Sequence, residues 1–117
     1  MLPKEFRLKN KSAFNATYRV KNSCHKGGIT LFCGINKKDE QLPTKVGFVV
    51  SKKTHKLAVK RNRLKRLMRE SYRLLLKSNN TSAADKYISL IFIGGEHALG
   101  KSFAEVNTIM ESLLNNI

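Results

Sequence analysis

The residues best suited to chemistry lie between Lys60 and Arg73, where seven basic side chains accompany a single acid, Glu70. On a 3.6-residue period Asn62, Arg66, Arg69 and Arg73 fall together on one side. Arg61 and Lys65 flank them on one edge and Arg63 on the other. Like charges three and four residues apart on a helix repel, so such a face calls for a negative partner. Arginine offers a planar fork that meets phosphate bidentately and stacks on bases. Asn62 among them can both donate and accept. From Gln41 to Arg69 there are ten Lys or Arg and no acid, and Lys52 and Lys53 extend the same charge just ahead of the helix. The chemistry this pattern suits is binding of nucleic acid. A merely solvated face would mix signs. A calmodulin-target or membrane-surface helix is also basic and amphipathic, but neither usually sits inside a strand-rich domain that needs its apolar face. A nuclear-localisation reading fits KRNRLKR and explains nothing else.

Hydrolytic chemistry by the protein itself finds little support. The eight acids are Glu5, Asp39, Glu40, Glu70, Asp85, Glu96, Glu105 and Glu111, and only Asp39 and Glu40 adjoin. The three histidines, His25, His55 and His97, fall in expected loops. A nuclease working alone would need clustered carboxylates for metal or a histidine pair for acid–base work. Cys24, His25, Cys33 and His55 match no zinc spacing. Gly94-Gly95 follows a strand but lacks the Lys-Ser/Thr step of a phosphate loop.

The elements that must position the basic helix read as follows. A basic N-terminal arm covers residues 1–11. Ser12 is expected to cap a short helix, AFNATYRVK, with Phe14 and Tyr18 one turn apart on one face. Ile29 to Ile35 and Thr44 to Ser51 read as strands, the second buried on much of both faces. There is room for a further short strand near residues 21–28. Leu57 to Lys77 is the basic helix, with Leu64, Leu67, Met68, Ser71 and Leu75 on its packing side. SNNTSAAD is a loop, and Tyr87 to Ile93 is a strand whose apolar continuity suggests a central position. Ser102 and Glu105 form a capping box for a last helix whose apolar side holds Phe103, Val106, Met110, Leu113 and Leu114. The order predicts an α+β sandwich, one sheet covered by helices.

The whole chain sets the frame. Its 117 residues, 41% apolar, make one domain with one modest core. A net charge of +15 opposes compaction unless a polyanion relieves it. No apolar run approaches the ~20 residues of a membrane span, and the start has no apolar segment of a secretory signal. Cys24 and Cys33 read as reduced thiols in a cytoplasmic protein.

VGFVVSKK followed by RNRLKRLMRESYRL resembles the protein subunit of bacterial ribonuclease P. Arg61-Asn62-Arg63 stands where that family opens its basic helix, and the flanking elements agree in order over roughly residues 6–115. The resemblance implies an α-β-β-β-α-β-α fold with a left-handed crossover. It implies an accessory subunit without a catalytic site of its own. A catalytic RNA, holding most of the Mg²⁺, removes the 5′ leader of precursor tRNA. The resemblance assigns Arg61, Asn62, Arg63, Lys65, Arg66 and Arg69 to that RNA, and Arg73 shares their face. It assigns Phe14, Tyr18 and Phe32 to a cleft for the single-stranded leader, with Ser51, Lys52 and Lys53 along it. The implied partners are the catalytic RNA and precursor tRNA, with no membrane and no obligate protein partner.

Stacking on aromatics tolerates many leader sequences. Yet Phe14 and Tyr18 at helical spacing equally suit a plain core, and the residues do not say which sheet face Phe32 or Phe48 occupies. The family's Gly-Asn turn ahead of the basic helix is absent from Thr54 to Lys60. The competing reading is a ribosomal-type or other structural RNA-binding protein. A DNA-binding regulator would need a helix paired with the reader and a dimer interface, and neither is evident.

Overall fold

The computed structural model describes residues 4–39, 41–78 and 84–117. Residues 1–3 of the basic arm, Glu40 and residues 79–83 of the SNNTSAAD loop lie outside the described residues. The elements in chain order are α1 (Lys11–Arg19), β1 (Asn22–Lys26), β2 (Ile29–Cys33), β3 (Lys45–Val49), α2 (Ala58–Lys77), β4 (Ser89–Gly94) and α3 (Phe103–Asn115). Short 3-10 turns stand at Lys4–Phe6 and Glu96–Ala98. This is the expected α-β-β-β-α-β-α order, and the further strand near residues 21–28 is β1.

The sheet order is β1-β2-β4-β3. β1 and β2 form a hairpin over Gly27 and Gly28, whose φ of 59° and 89° suit a tight turn that a side chain would strain. β2 pairs antiparallel with β4, and β3 pairs parallel with β4. The parallel pair needs a crossover, and α2 lies within it. β4 is central, as its continuous apolar run suggests. β3 is an edge strand. It is half-covered on both faces because helices lie on each side of the sheet, with Arg7 bridging its edge at Val46.

Strand alternation sends Ile29, Leu31, Cys33, Val46, Leu90 and Phe92 to the α2–α3 side, where they meet Leu64, Met68, Tyr72, Val106, Met110 and Leu113 in one core. α2 was expected to pack through Leu64, Leu67, Met68, Ser71 and Leu75. All but Leu67 are buried, and Tyr72 joins them fully buried. α2 lies against both the sheet and α3, so its buried arc extends to Tyr72 while Leu67 is only half-buried. Ser71 is buried because its hydroxyl hydrogen-bonds Asn107 Oδ1 across the two helices (2.7 Å).

α1 lies on the opposite sheet face. Its N-cap is Asn10, not Ser12: the Asn10 side chain accepts the Ser12 N–H at 2.9 Å and starts the helix earlier. Lys21, at φ 60°, turns the chain sharply from α1 into β1. Thr17 Oγ1 donates to Ala13 O (2.8 Å), so Ser89 is left to donate to Thr17 across 2.5 Å, which ties α1 to β4. The expected capping box of α3 is present, Ser102 and Glu105 each accepting the other's N–H.

Candidate nucleic-acid interface

The basic helix presents its residues unevenly. Asn62, Arg66 and Arg69 are exposed, and Lys65 is half-buried at the edge of the face. Arg61 is half-buried, and its Nε is buried without a partner among the described residues. Arg63 is exposed but engaged: Nη1 donates to Leu99 O (3.1 Å) and Nη2 to Lys101 O (3.2 Å). Arg63 therefore ties α2 to the turn before α3. Arg73 donates from Nε and Nη2 to Glu70, at 3.2 and 2.5 Å. This fork holds the Glu70 carboxyl below its usual range. The arginines open toward solvent are thus Arg66 and Arg69, with Asn62 between them and the tip.

The aromatic residues gather on the α1 side of the sheet. Phe32 leaves β2 on that face, and Tyr18 meets it edge-on at 5.1 Å between ring centroids. Burial pushes the Tyr18 hydroxyl up. Phe14 lies over Gly47 of β3, where any Cβ would strike its ring. Phe14, Tyr18 and Phe32 are each half-buried, which suits side chains that support a helix and keep ring surface open. Phe48 takes the other face, stacked on Phe92 at 5.8 Å and packed on Tyr72. By register, Thr30, Val49 and Ile93 continue the face that carries Phe32. All three are half-buried. Sequence reasoning missed them, and the period-2 parity from Phe32 is the signal that identifies them once the register is known. Ser51, Lys52 and Lys53 are exposed in the turn after β3.

The two groups meet at the β3 edge. A pocket of about 190 Å³ is lined by Arg7, Lys9, Phe14, Phe48 and Arg69 among others. Phe14 belongs to the aromatic face and Arg69 to the basic face of α2. Arg7 and Lys9 arrive there because Leu8 N–H donates to Val46 O (2.9 Å) and the Leu8 side chain is buried. The other flank of α1 borders a larger, apolar hollow of about 520 Å³ with Ala13, Ala16, Ile35, Leu42 and Ile88. α3 carries no Lys or Arg and two Glu, so charge is segregated away from it.

Among the described residues no three His, Cys, Asp or Glu form a group that would hold a metal ion. The described donors do not fit a Mg²⁺ site. Cys24 and Cys33 are free thiols. Cys33 is fully buried in the core, and burial pushes its thiol up to about 12. No described helix is long and apolar enough to cross a membrane.

Comparison with known proteins identifies the family and the fold. The family model for ribonuclease P matches residues 2–117. The chain belongs to the ribonuclease P protein family. It is 32% identical over 109 residues to the ribonuclease P protein component of Clostridium kluyveri, covering 93% of this chain and 91% of that protein. It is 33% identical over 111 residues to the protein component of Clostridium perfringens, covering 92% and 84%. The fold is similar to that of the Staphylococcus aureus ribonuclease P protein, with a TM-score of 0.76 and 24% identity over 97% of this chain and 95% of that one. It is also similar to the Thermotoga maritima ribonuclease P protein, with a TM-score of 0.70 and 22% identity over 95% and 96%.

Proposed function

We propose that this chain is the protein component of a cytoplasmic ribonuclease P, the ribonucleoprotein endonuclease that matures the 5′ end of tRNA. Its partners in this reading are the catalytic RNA and precursor tRNA, and Mg²⁺ enters through the RNA. Asn62, Arg66 and Arg69 engage phosphates of the catalytic RNA, with Arg61 and Lys65 at the edge of the contact. Arg63 and Arg73 contribute charge and hold the helix and its neighbours in place. The leader lies across Phe14, Tyr18 and Phe32, with Ser51, Lys52 and Lys53 meeting its backbone.

The observation that carries this reading is the pocket where Phe14 and Arg69 meet. One continuous surface offers base-stacking rings on one side and the exposed Arg66 and Arg69 guanidinium groups on the other. Such a surface lets one small protein bind an RNA helix and an adjacent single strand together. Its positive charge lowers the repulsion between two RNAs, so less Mg²⁺ is needed. Its leader contacts raise affinity for precursor over mature tRNA. Ring stacking supplies about 1–3 kcal/mol per base with little sequence preference.

The test is equilibrium binding of precursor and mature tRNA to the catalytic RNA, with and without the protein. The expected result is that the protein raises affinity for precursor more than for mature tRNA, and that Phe14→Ala with Phe32→Ala removes most of this preference. Equal effects on both tRNAs, with wild-type protein, would favour a ribosomal-type RNA binder instead.

A further inference from the structure

The pocket where Phe14 and Arg69 meet does not end at the rings. It shares Arg7, Leu8 and Lys9 with a second depression of about 260 Å³ at the start of α1. That depression in turn shares Leu8, Ala13 and Lys45 with the apolar hollow on the other flank of α1. One groove thus passes from the rings, around the N-terminal end of α1, into the hollow. Lys4, Arg7, Lys9 and Lys45 line the passage, and no acid does. Two long-range contacts build this cluster. Leu8 N–H donates to Val46 O and lays the N-terminal segment beside β3. The β3 register sends Lys45 to the sheet face that carries Phe32.

The hollow at the end of the passage is apolar and open. Ile35, Leu42 and Ile88 line it and are 56%, 54% and 43% exposed. Large aliphatic side chains left this open around one concavity mark a place where something binds. The two hydroxyls in its wall, Thr17 and Ser89, are bonded to each other at 2.5 Å. The walls therefore suit a flat apolar surface rather than a charged group.

We propose that the hollow takes a nucleobase of the precursor tRNA leader, beyond the bases that lie on Phe14, Tyr18 and Phe32, with Lys9 and Lys45 meeting the phosphates of the strand as it rounds α1. The inference deepens the function proposed above and rests on it. A single strand brings a phosphate at every step, so it matches a passage lined only by cations. Its bases are unstacked, and a base can bury its faces between apolar side chains. The groove is also continuous with the ring surface, so a strand leaving Phe14 enters it without crossing an acidic side chain. A protein segment fits the hollow less well, because it must carry acids spaced to match the passage as well as an apolar anchor.

The test uses the holoenzyme, reconstituted from catalytic RNA and protein, and precursor tRNAs whose leaders lengthen one nucleotide at a time. A second set keeps a long leader and replaces one base at a time by an abasic nucleotide. The proteins are wild type, Ala16→Phe, Ala16→Leu and Lys45→Ala, with thermal melts alongside. Ala16 is exposed on α1 and lines the hollow, so a larger side chain there fills the site. With wild type, affinity is expected to rise with leader length past the nucleotides on the rings. One outer abasic position should cost about fivefold, the lower end of what stacking a base contributes. Ala16→Phe should make affinity level off at a shorter leader and should abolish the effect of that outer abasic position. Affinity for the shortest leaders should stay within twofold of wild type. Ala16→Leu should do the same in part. Lys45→Ala should lower the salt slope for long leaders by about 0.7, the signature of one lost phosphate contact on a single strand, and leave it unchanged for the shortest.

The abasic set probes the wild-type protein, so it decides even if Ala16→Phe melts early. No outer abasic effect with wild type overturns the proposal. So does an Ala16→Phe protein that follows wild type at every leader length, which leaves the hollow to an apolar protein segment. Equal loss by Ala16→Phe for all leaders and for the catalytic RNA alone also overturns it. If wild type shows no dependence on the leader at all, the proposed function falls and the hollow's role with it. A leader effect confined to the nucleotides on the rings removes the hollow alone.

Discussion

Replacing Arg63 separates two roles that the Arg-Asn-Arg stretch combines. Its guanidinium donates to Leu99 O and Lys101 O at 3.1 and 3.2 Å. A hydrogen bond to a charged group contributes about 1.5–3 kcal/mol when well shielded. Arg63 is exposed, so water competes and the lower end applies, at roughly 0.5–1 kcal/mol per bond. The carbonyls it leaves can return to water, so no orphan penalty is added. Arg63→Ala should therefore lose about 1–2 kcal/mol of stability. That is a fall in Tm of roughly 5–10 °C for a domain of this size. Arg63→Lys should fall about half as far, because one ammonium cannot reproduce the planar fork. Thermal melts followed by circular dichroism read these shifts. Titration of the same variants against ribonuclease P RNA at several salt concentrations completes the test. Arg66→Ala should lower the salt slope by nearly one contact while leaving Tm within a degree or two. Arg63→Ala should do the reverse. An Arg63→Ala protein that melts like wild type and loses as much salt slope as Arg66→Ala would refute the reasoning and make Arg63 a direct RNA contact.

Other expectations follow from single side chains. Gly47→Ala forces the Phe14 ring to move, so it should reduce the preference for precursor over mature tRNA while sparing binding to the catalytic RNA; equal loss in both assays would count against the seat of Phe14. Tyr72 is fully buried with no partner for its hydroxyl among the described residues, and an unsatisfied buried polar group costs about 1–3 kcal/mol. Tyr72→Phe should thus be at least as stable as wild type in urea, and a loss above about 1 kcal/mol would reveal a partner. Ser102→Ala removes the cap of α3 and should destabilise by about 1 kcal/mol in the same assay. Glu105 in that capping box is held below its usual range by the Ser102 N–H. Its contribution is complete above the unfolded carboxylate pKa and is lost as pH falls through the folded value. Stability of wild type should then drop more steeply in acid than that of Glu105→Gln, and parallel curves would contradict the box.

The faces of α2 were legible because one period decides both. Apolar residues at helical spacing marked the core side, and arginines at i+4, i+7 and i+11 from Asn62 marked the outside. Tyr72 escaped because α2 touches α3 as well as the sheet, which widens its buried arc in a way one helix cannot reveal. The sheet faces of Phe32 and Phe48 were not legible for a related reason. Both faces of this sheet are covered, so its strands read as continuous apolar runs and parity gives no anchor. The pair Glu70–Arg73 had a local signal in its i,i+3 spacing. The attachment of Arg63 had none, since its acceptors are backbone carbonyls more than thirty residues away. The pocket that joins Phe14 to Arg69 likewise depends on the N-terminal segment pairing with β3, a long-range contact without a local mark.

The central claim is that this protein assists an RNA catalyst in removing the tRNA leader. The most direct measurement is cleavage of precursor tRNA at low Mg²⁺ by a bacterial ribonuclease P RNA, with and without the protein. Correct 5′ maturation only when RNA and protein are both present is the predicted result. Binding of the RNA without any stimulation of cleavage, including with the RNA from the protein's own source, would contradict it.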